Sequence, residues 1–174
     1  YQGEELGLFE VEDLAHKDLQ DPTWFRNVVP QMVKGKVSGL ALIHTEKGRD
    51  GCRVPLPWEA NKPSFGFGYE KSHLPQPEWF AKHAVDQQDG KKGSTLSLYR
   101  EALALRKKLQ TIEELEWIPT SNSEVIHFTR PNGWQCVMNF NGKPYKLPAG
   151  NVVLASGPIV GGKIPANTTV WLQA

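Results

Sequence analysis

The sequence predicts an α+β chain: a loop-rich first part, one amphipathic helix and a terminal all-β module. Three observations carry this. Residues 9 to 93 hold most of the prolines, many glycines and the landmarks Trp24, Trp58 and Trp79, with few periodic stretches. Leu98, Ala102, Leu105 and Leu109 then recur at helical spacing, and beyond Gln110 the apolar period shifts to two.

The composition bounds what such a chain can do. With 174 residues and 39% hydrophobic content it can bury one or two cores, which excludes a disordered chain. A net charge of +1, spread along the length, offers no sustained field for phosphate backbones, so nucleic acid is not expected as a partner. No window reaches the roughly 18 apolar residues of a membrane span, and no basic stretch followed by an apolar core opens the chain. Cys52 and Cys136 are too few and too far apart for a disulfide framework or a zinc site; ordinary packing in a reducing, cytoplasmic setting is expected of them.

The elements follow in order. Tyr1-Gln2-Gly3-Glu4-Glu5-Leu6-Gly7-Leu8 reads as a compact polar turn without an initiator Met, so a preceding segment is expected. The long loops of 9 to 93 are the kind that serve a site. Ser94 is a candidate N-cap for a helix over 94–109, and Arg106-Lys107-Lys108 suit the dipole at its far end. Its apolar stripe is expected to pack on a core. Val125 to Thr129 reads as a strand, and Trp134, Cys136, Met138 and Phe140 alternate with Gln135, Val137 and Asn139 in the next. Pro131-Asn132-Gly133 and Asn141-Gly142 favour hairpin turns, and Val152 to Ala155 and Thr169 to Leu172 complete an antiparallel unit of five or six strands. The domains expected are 1–110 and 111–174.

Candidate chemistry is sparse. Glu4 and Glu5 form a carboxylate pair, but adjacent side chains diverge, whereas a glycosidase pair faces across a sugar; pairing with a nearby Arg to fix the loop is the plainer reading. His16, His44, His73, His83 and His127 show no metal-pair spacing and no local nucleophile, and no catalysis is assigned to them. Cys52 between Arg49 and Arg53 is thin support for a nucleophile. The segment Gly48-Arg49-Asp50-Gly51-Cys52-Arg53-Val54-Pro55-Leu56-Pro57-Trp58 is different, because two guanidiniums, a carboxylate and an indole are fixed between glycines and prolines. It could offer a bidentate Arg to a carboxylate or hydroxyls and the Trp58 face to a sugar ring; equally, it could be an internal salt bridge bracing a loop.

Tyr1 to Leu8, then Asp21-Pro22-Thr23-Trp24, then Gly48 to Trp58, together resemble bacterial α-glucosidases of the α-amylase clan, close to oligo-1,6-glucosidases. The resemblance continues through Phe65-Gly66-Phe67, Leu74-Pro75-Gln76-Pro77 and Ser94 to Arg106, nearly the whole chain in order. It implies the end of a (β/α)₈ barrel with long active-site loops, followed by a small antiparallel, β-sandwich-like C-terminal domain. Tyr1 to Gly7 would end the eighth strand, 94–109 would be the last barrel helix, and 111–174 the terminal domain.

The same resemblance implies retaining hydrolysis of terminal α-linked glucose from oligosaccharides. The family's catalytic carboxylates come from earlier strands, one of them in an Asn-His-Asp element that does not occur here, so no catalytic residue is assigned and the chain alone is expected to be inactive. The position matching the family's pocket-floor arginine, which pairs with an Asp of an early strand, is Arg49. Asp50 and Arg53 would brace the loop, with Glu4 or Glu5 as local partners. Phe9 and His73 depart from the family pattern. The implied partners are a small α-glucoside or oligosaccharide and the preceding barrel segment, with no cofactor and no metal. Transglycosylation or sucrose isomerisation is the alternative within the clan. Outside it stands a non-catalytic carbohydrate-binding or interaction module, against which 111–174 shows no legible cluster of exposed aromatics.

Overall fold

The computed structural model describes residues 1–28, 34, 48–68 and 70–174, so His44 lies outside the described residues. Two compact units emerge, Tyr1–Ser97 and Leu98–Ala174.

Among the described residues the first unit is built from short turns and helices, with no strand. Tyr1–Gly7, expected as a strand end, is corrected: Glu4–Leu6 is a single 3₁₀ turn. The reason is local. Gly3 adopts φ +92, and its carbonyl accepts the amides of both Leu6 and Leu8 at 3.1 Å, which closes the backbone on itself where a strand would need a neighbour. Leu6 is buried, and its carbonyl accepts Gln88 Nε2 at 2.9 Å. The same amide donates to the His83 carbonyl, and Gln88 Oε1 accepts the Leu96 amide at 3.1 Å. Gln88 therefore satisfies three backbone groups at once and joins the first turn to the helical end of this unit. Short helices α1 (Phe80–His83) and α2 (Val85–Gln88) flank a core of Val11, Val54, Leu74 and Phe80, with Leu8, Leu14, Phe65 and Trp79 packed on it.

Helix α3 runs over Thr95–Leu109. The Ser94 hydroxyl accepts the Ser97 amide at 3.2 Å, the cap read from the sequence.

Seven strands are described in the second unit: β1 Glu116–Trp117, β2 Val125–Thr129, β3 Trp134–Asn139, β4 Tyr145–Lys146, β5 Asn151–Ala155, β6 Lys163–Ile164 and β7 Thr168–Gln173. They form a five-stranded antiparallel sheet in the order β1-β2-β3-β7-β5 and a two-stranded sheet β4-β6. The core lies on the face carrying Val125, Val137, Val170 and Leu172, completed by Ile164 of the small sheet. Each fully buried aliphatic chain there stabilises by about 1.5 to 3 kcal/mol.

Two expectations change here. The Pro131-Asn132-Gly133 turn does join β2 to β3, closed by the Arg130 amide on the Trp134 carbonyl at 2.8 Å. Asn141-Gly142, however, makes no hairpin: β3 pairs with β2 and β7, and the chain leaves through successive Asx turns, Asn139 Oδ1 accepting the Asn141 amide and Asn141 Oδ1 that of Lys143. The strand count rises above six because β1, β4 and β6 are two residues long, too short to show a period.

The β unit also carries an aromatic row whose rings, apart from Trp117, are partly buried. Trp117, Phe128, Trp134 and Trp171, from β1, β2, β3 and β7, form a continuous row with ring centroids 5.8, 5.6 and 5.2 Å apart, each pair edge to face. Trp117 is 64% exposed. The residues lie far apart in sequence, and only the strand register gathers them.

Candidate functional site

The densest polar constellation of the first unit links residues 20–23 to 48–53. Asp21 is 3% exposed, and both oxygens of its carboxylate accept hydrogen bonds. Oδ1 accepts the Thr23 amide at 2.8 Å, an Asx turn that the sequence Asp-Pro-Thr allows. Oδ2 accepts the Arg49 amide at 3.1 Å and Arg53 Nη1 at 3.1 Å. The Arg49 Nε lies farther off, 3.9 Å from the same oxygen. Asp50, also buried, returns the contact: its Oδ2 accepts the amides of Gln20 at 2.8 Å and Asp21 at 2.9 Å.

Hydrogen bonds from Thr23 hold the Asp21 carboxyl down at about 2; the Arg49 amide and the Arg53 charge add to this against the opposing effect of burial. It is therefore ionised at any working pH. Gly48 makes the approach possible, since a Cβ there would stand 2.6 Å from Asp21 Cβ, and its φ of +97 favours glycine.

The sequence-derived candidates thus fall into two groups. Arg49, Asp50 and Arg53 come together. Glu5 lies within its own turn, its Oε2 accepting the Gly3 amide at 3.1 Å. Asp21 is the carboxylate that meets both arginines. Sequence reading passed over Asp21 since its pairing spans about thirty residues, and only the local Asx turn could have signalled it.

Arg49 presents its head outward, its side chain 69% exposed, while its backbone is held on both sides: the carbonyl accepts the Cys52 amide at 3.3 Å and Cys52 Sγ at 3.2 Å. Trp58 is 47% exposed. The histidines are dispersed: His16 stacks near Trp24, the His73 carbonyl accepts Gln20 Nε2, His83 Nδ1 lies 3.2 Å from the Leu6 carbonyl, and His127 Nε2 meets Gln135 Oε1 at 2.9 Å. Among the described residues no group of three or more His, Cys, Asp or Glu could hold a metal ion, and no helix is long and apolar enough to cross a membrane. An exposed guanidinium on a locked backbone can bind an anion or hydroxyls.

The described residues thus comprise a loop-rich unit that carries an arginine cluster and an antiparallel β unit. Residues 1–114 match the α-amylase catalytic domain, and the chain belongs to that family. It is 36% identical over 146 residues to a probable α-glucosidase of Rhizobium meliloti (strain 1021), covering 81% of this chain and 23% of that protein. It is 25% identical over 166 residues to a probable oligo-1,6-glucosidase 3 of Bacillus subtilis (strain 168), covering 92% of this chain and 30% of that protein. Among solved structures, the α-glucosyl transfer enzyme XgtA is similar at 30% identity and TM-score 0.69, over 99% of this chain and 32% of that one. The isomaltulose synthase PalI from Klebsiella sp. LX3 shares the fold, with TM-score 0.81 at 19% identity, over 99% of this chain and 34% of that one. The chain spans about a quarter to a third of the length of these proteins. Its α+β architecture with an antiparallel terminal sheet is that of these enzymes.

Proposed function

We propose that the whole protein is a retaining α-glucosidase that releases terminal α-linked glucose from short oligosaccharides, acting in the cytoplasm. Residues 1–110 complete its catalytic barrel, and 111–174 form its supporting β domain. Arg49 stands at the floor of the glucose pocket, paired with a carboxylate outside this chain, while Asp50, Arg53, Glu4 and Glu5 support the loops around it. The single observation that carries this is the locked Arg49 backbone with its exposed guanidinium, at the position where the sequence follows the glucosidase pattern.

The chemistry needs one carboxylate to attack the anomeric carbon and another to protonate the departing oxygen, then to activate water. This chain offers neither, and its part is to bind and orient. Assaying the whole gene product and the 174-residue chain on 4-nitrophenyl α-glucoside tests the reading: the whole protein hydrolyses it with retention and the chain alone does not. Hydrolysis by the purified chain that Glu4→Gln or Glu5→Gln abolishes would overturn it.

The aromatic row favours a second reading, a carbohydrate-binding surface on the β unit. The edge-to-face packing turns most of those rings against one another and leaves Trp117 as the exposed platform, a single-ring contact. Retention of the chain on immobilised maltooligosaccharide, lost in Trp117→Ala, would support that reading.

A further inference from the structure

We infer that Asp21 is a positioning residue for Arg49, setting the direction in which its guanidinium meets substrate; this rests on the reading of Arg49 as a glucose-pocket residue.

Three observations combine. The amide of Arg49 is fixed by Asp21 Oδ2 and its carbonyl by the Cys52 amide, so the backbone on either side of Arg49 Cα is held and the Cα–Cβ direction with it. The head beyond is 69% exposed, with only a 3.9 Å approach to Asp21. Where the root of a long side chain is locked and its tip has only a long contact among the described residues, the tip's average position follows the root. The clasp is also double. Asp50 Oδ2 holds the amides of Gln20 and Asp21, so Asp21 cannot shift without breaking bonds on the segment that contains Arg49. Its tightness is set by Gly48, whose position leaves no room for a Cβ beside Asp21.

The charges divide along the same lines. One buried carboxylate faces two guanidiniums and makes its short contact, 3.1 Å, with Arg53. Arg53 neutralises Asp21, and Arg49 keeps its charge for another anion or for sugar hydroxyls. A carboxylate paired tightly with Arg49 would have consumed the group the pocket needs. Asp21 thus holds Arg49 by its backbone and spares its head.

The experiment uses the whole enzyme with 4-nitrophenyl α-glucoside, comparing wild type with Asp21→Asn, a substitution that keeps the volume and one acceptor oxygen. Melting curves establish the folded fraction. The expected result is a KM raised by about tenfold or more, with kcat per folded molecule changed less, as misplacement of a binding group requires. A purely structural role would lower the folded fraction and leave the KM of the remainder unchanged, and that outcome overturns the inference. Should Asp21→Asn not fold, Asp50→Asn loosens the same clasp from its other side and reads the same parameter, an unchanged KM there being the contrary result. A wild-type protein inactive on every α-glucoside tried would instead overturn the functional reading itself, and this inference with it.

Discussion

Asp21 and Asp50 clasp each other's segments: the Asp50 carboxylate accepts the Asp21 amide at 2.9 Å, while the Asp21 carboxylate accepts the amide of Arg49, the residue next to Asp50, at 3.1 Å. Both side chains are buried, and both serve main-chain donors that would otherwise lack partners. The clasp fastens two segments far apart in sequence, which is how a loop-rich unit can hold one arginine still.

A pH dependence follows. Asp21 titrates at about 2 in the fold against an ordinary 3.8, so its folded form is favoured while ionised. The stabilisation is complete above about pH 4 to 5 and is lost as the pH falls from there toward 2. Amide exchange of Thr23 and Arg49, followed by NMR, should accelerate over that window in excess of the intrinsic trend. Protection independent of pH down to 2 would contradict the assigned contacts.

The two arginines should separate on mutation. In the whole enzyme Arg49→Ala should lower kcat/KM by roughly ten- to a hundredfold, the loss of a charge-assisted hydrogen bond of about 1.5 to 3 kcal/mol. Arg53→Ala should act mainly on stability, because it strips a buried carboxylate of its short cationic contact. Steady-state kinetics beside thermal melts distinguish them, and the opposite pattern would mean their roles are exchanged.

The thiols should differ in reach. Cys136 is buried, and desolvation pushes its thiol up to about 11 against a smaller opposing contact with Trp171, so little thiolate exists near neutrality. Cys52 is half-buried. Titration with a disulfide reagent at pH 8 should modify Cys52 in the folded chain and reach Cys136 only after denaturation.

Asn139 is the polar joint of the β unit. It is 1% exposed, and its Nδ2 reaches the carbonyls of Lys143, Ile164 and Pro165 at 3.0 Å each. Asn139→Ala should destabilise the unit by about 1 to 3 kcal/mol, the cost of leaving buried acceptors unmet. Asn139→Asp should cost more, since it sets a carboxylate against those carbonyls. Urea unfolding followed by Trp fluorescence measures both.

What the sequence made legible has a physical pattern. Strand β2, helix α3 and its Ser94 cap were readable because their signals are local: a period of two, a period of 3.6 and a hydroxyl three residues before the amide it caps. Strands β1, β4 and β6 are too short to carry a period. Residues 1–7 follow a strand pattern by resemblance, yet the Gly3 turn prevails because its hydrogen bonds are made within eight residues. Arg49, Asp50 and Arg53 declared themselves as a cluster in sequence. Asp21 did not, for its partners lie in a distant segment, and the aromatic row was hidden for the same reason, each ring coming from a different strand.

On the proposed function, the clasped Arg49 lies at the glucose-binding end of an α-glucosidase pocket. A crystal structure of the whole protein with a bound glucose-like inhibitor tests it most directly. The Arg49 guanidinium is expected within hydrogen-bond reach, about 2.7 to 3.2 Å, of the sugar or of a carboxylate that itself contacts the sugar, with the Asp21 bond to the Arg49 amide intact. An inhibitor bound in the barrel with Arg49 more than about 10 Å from it, beyond a Debye length at 0.1 M salt, would contradict the account.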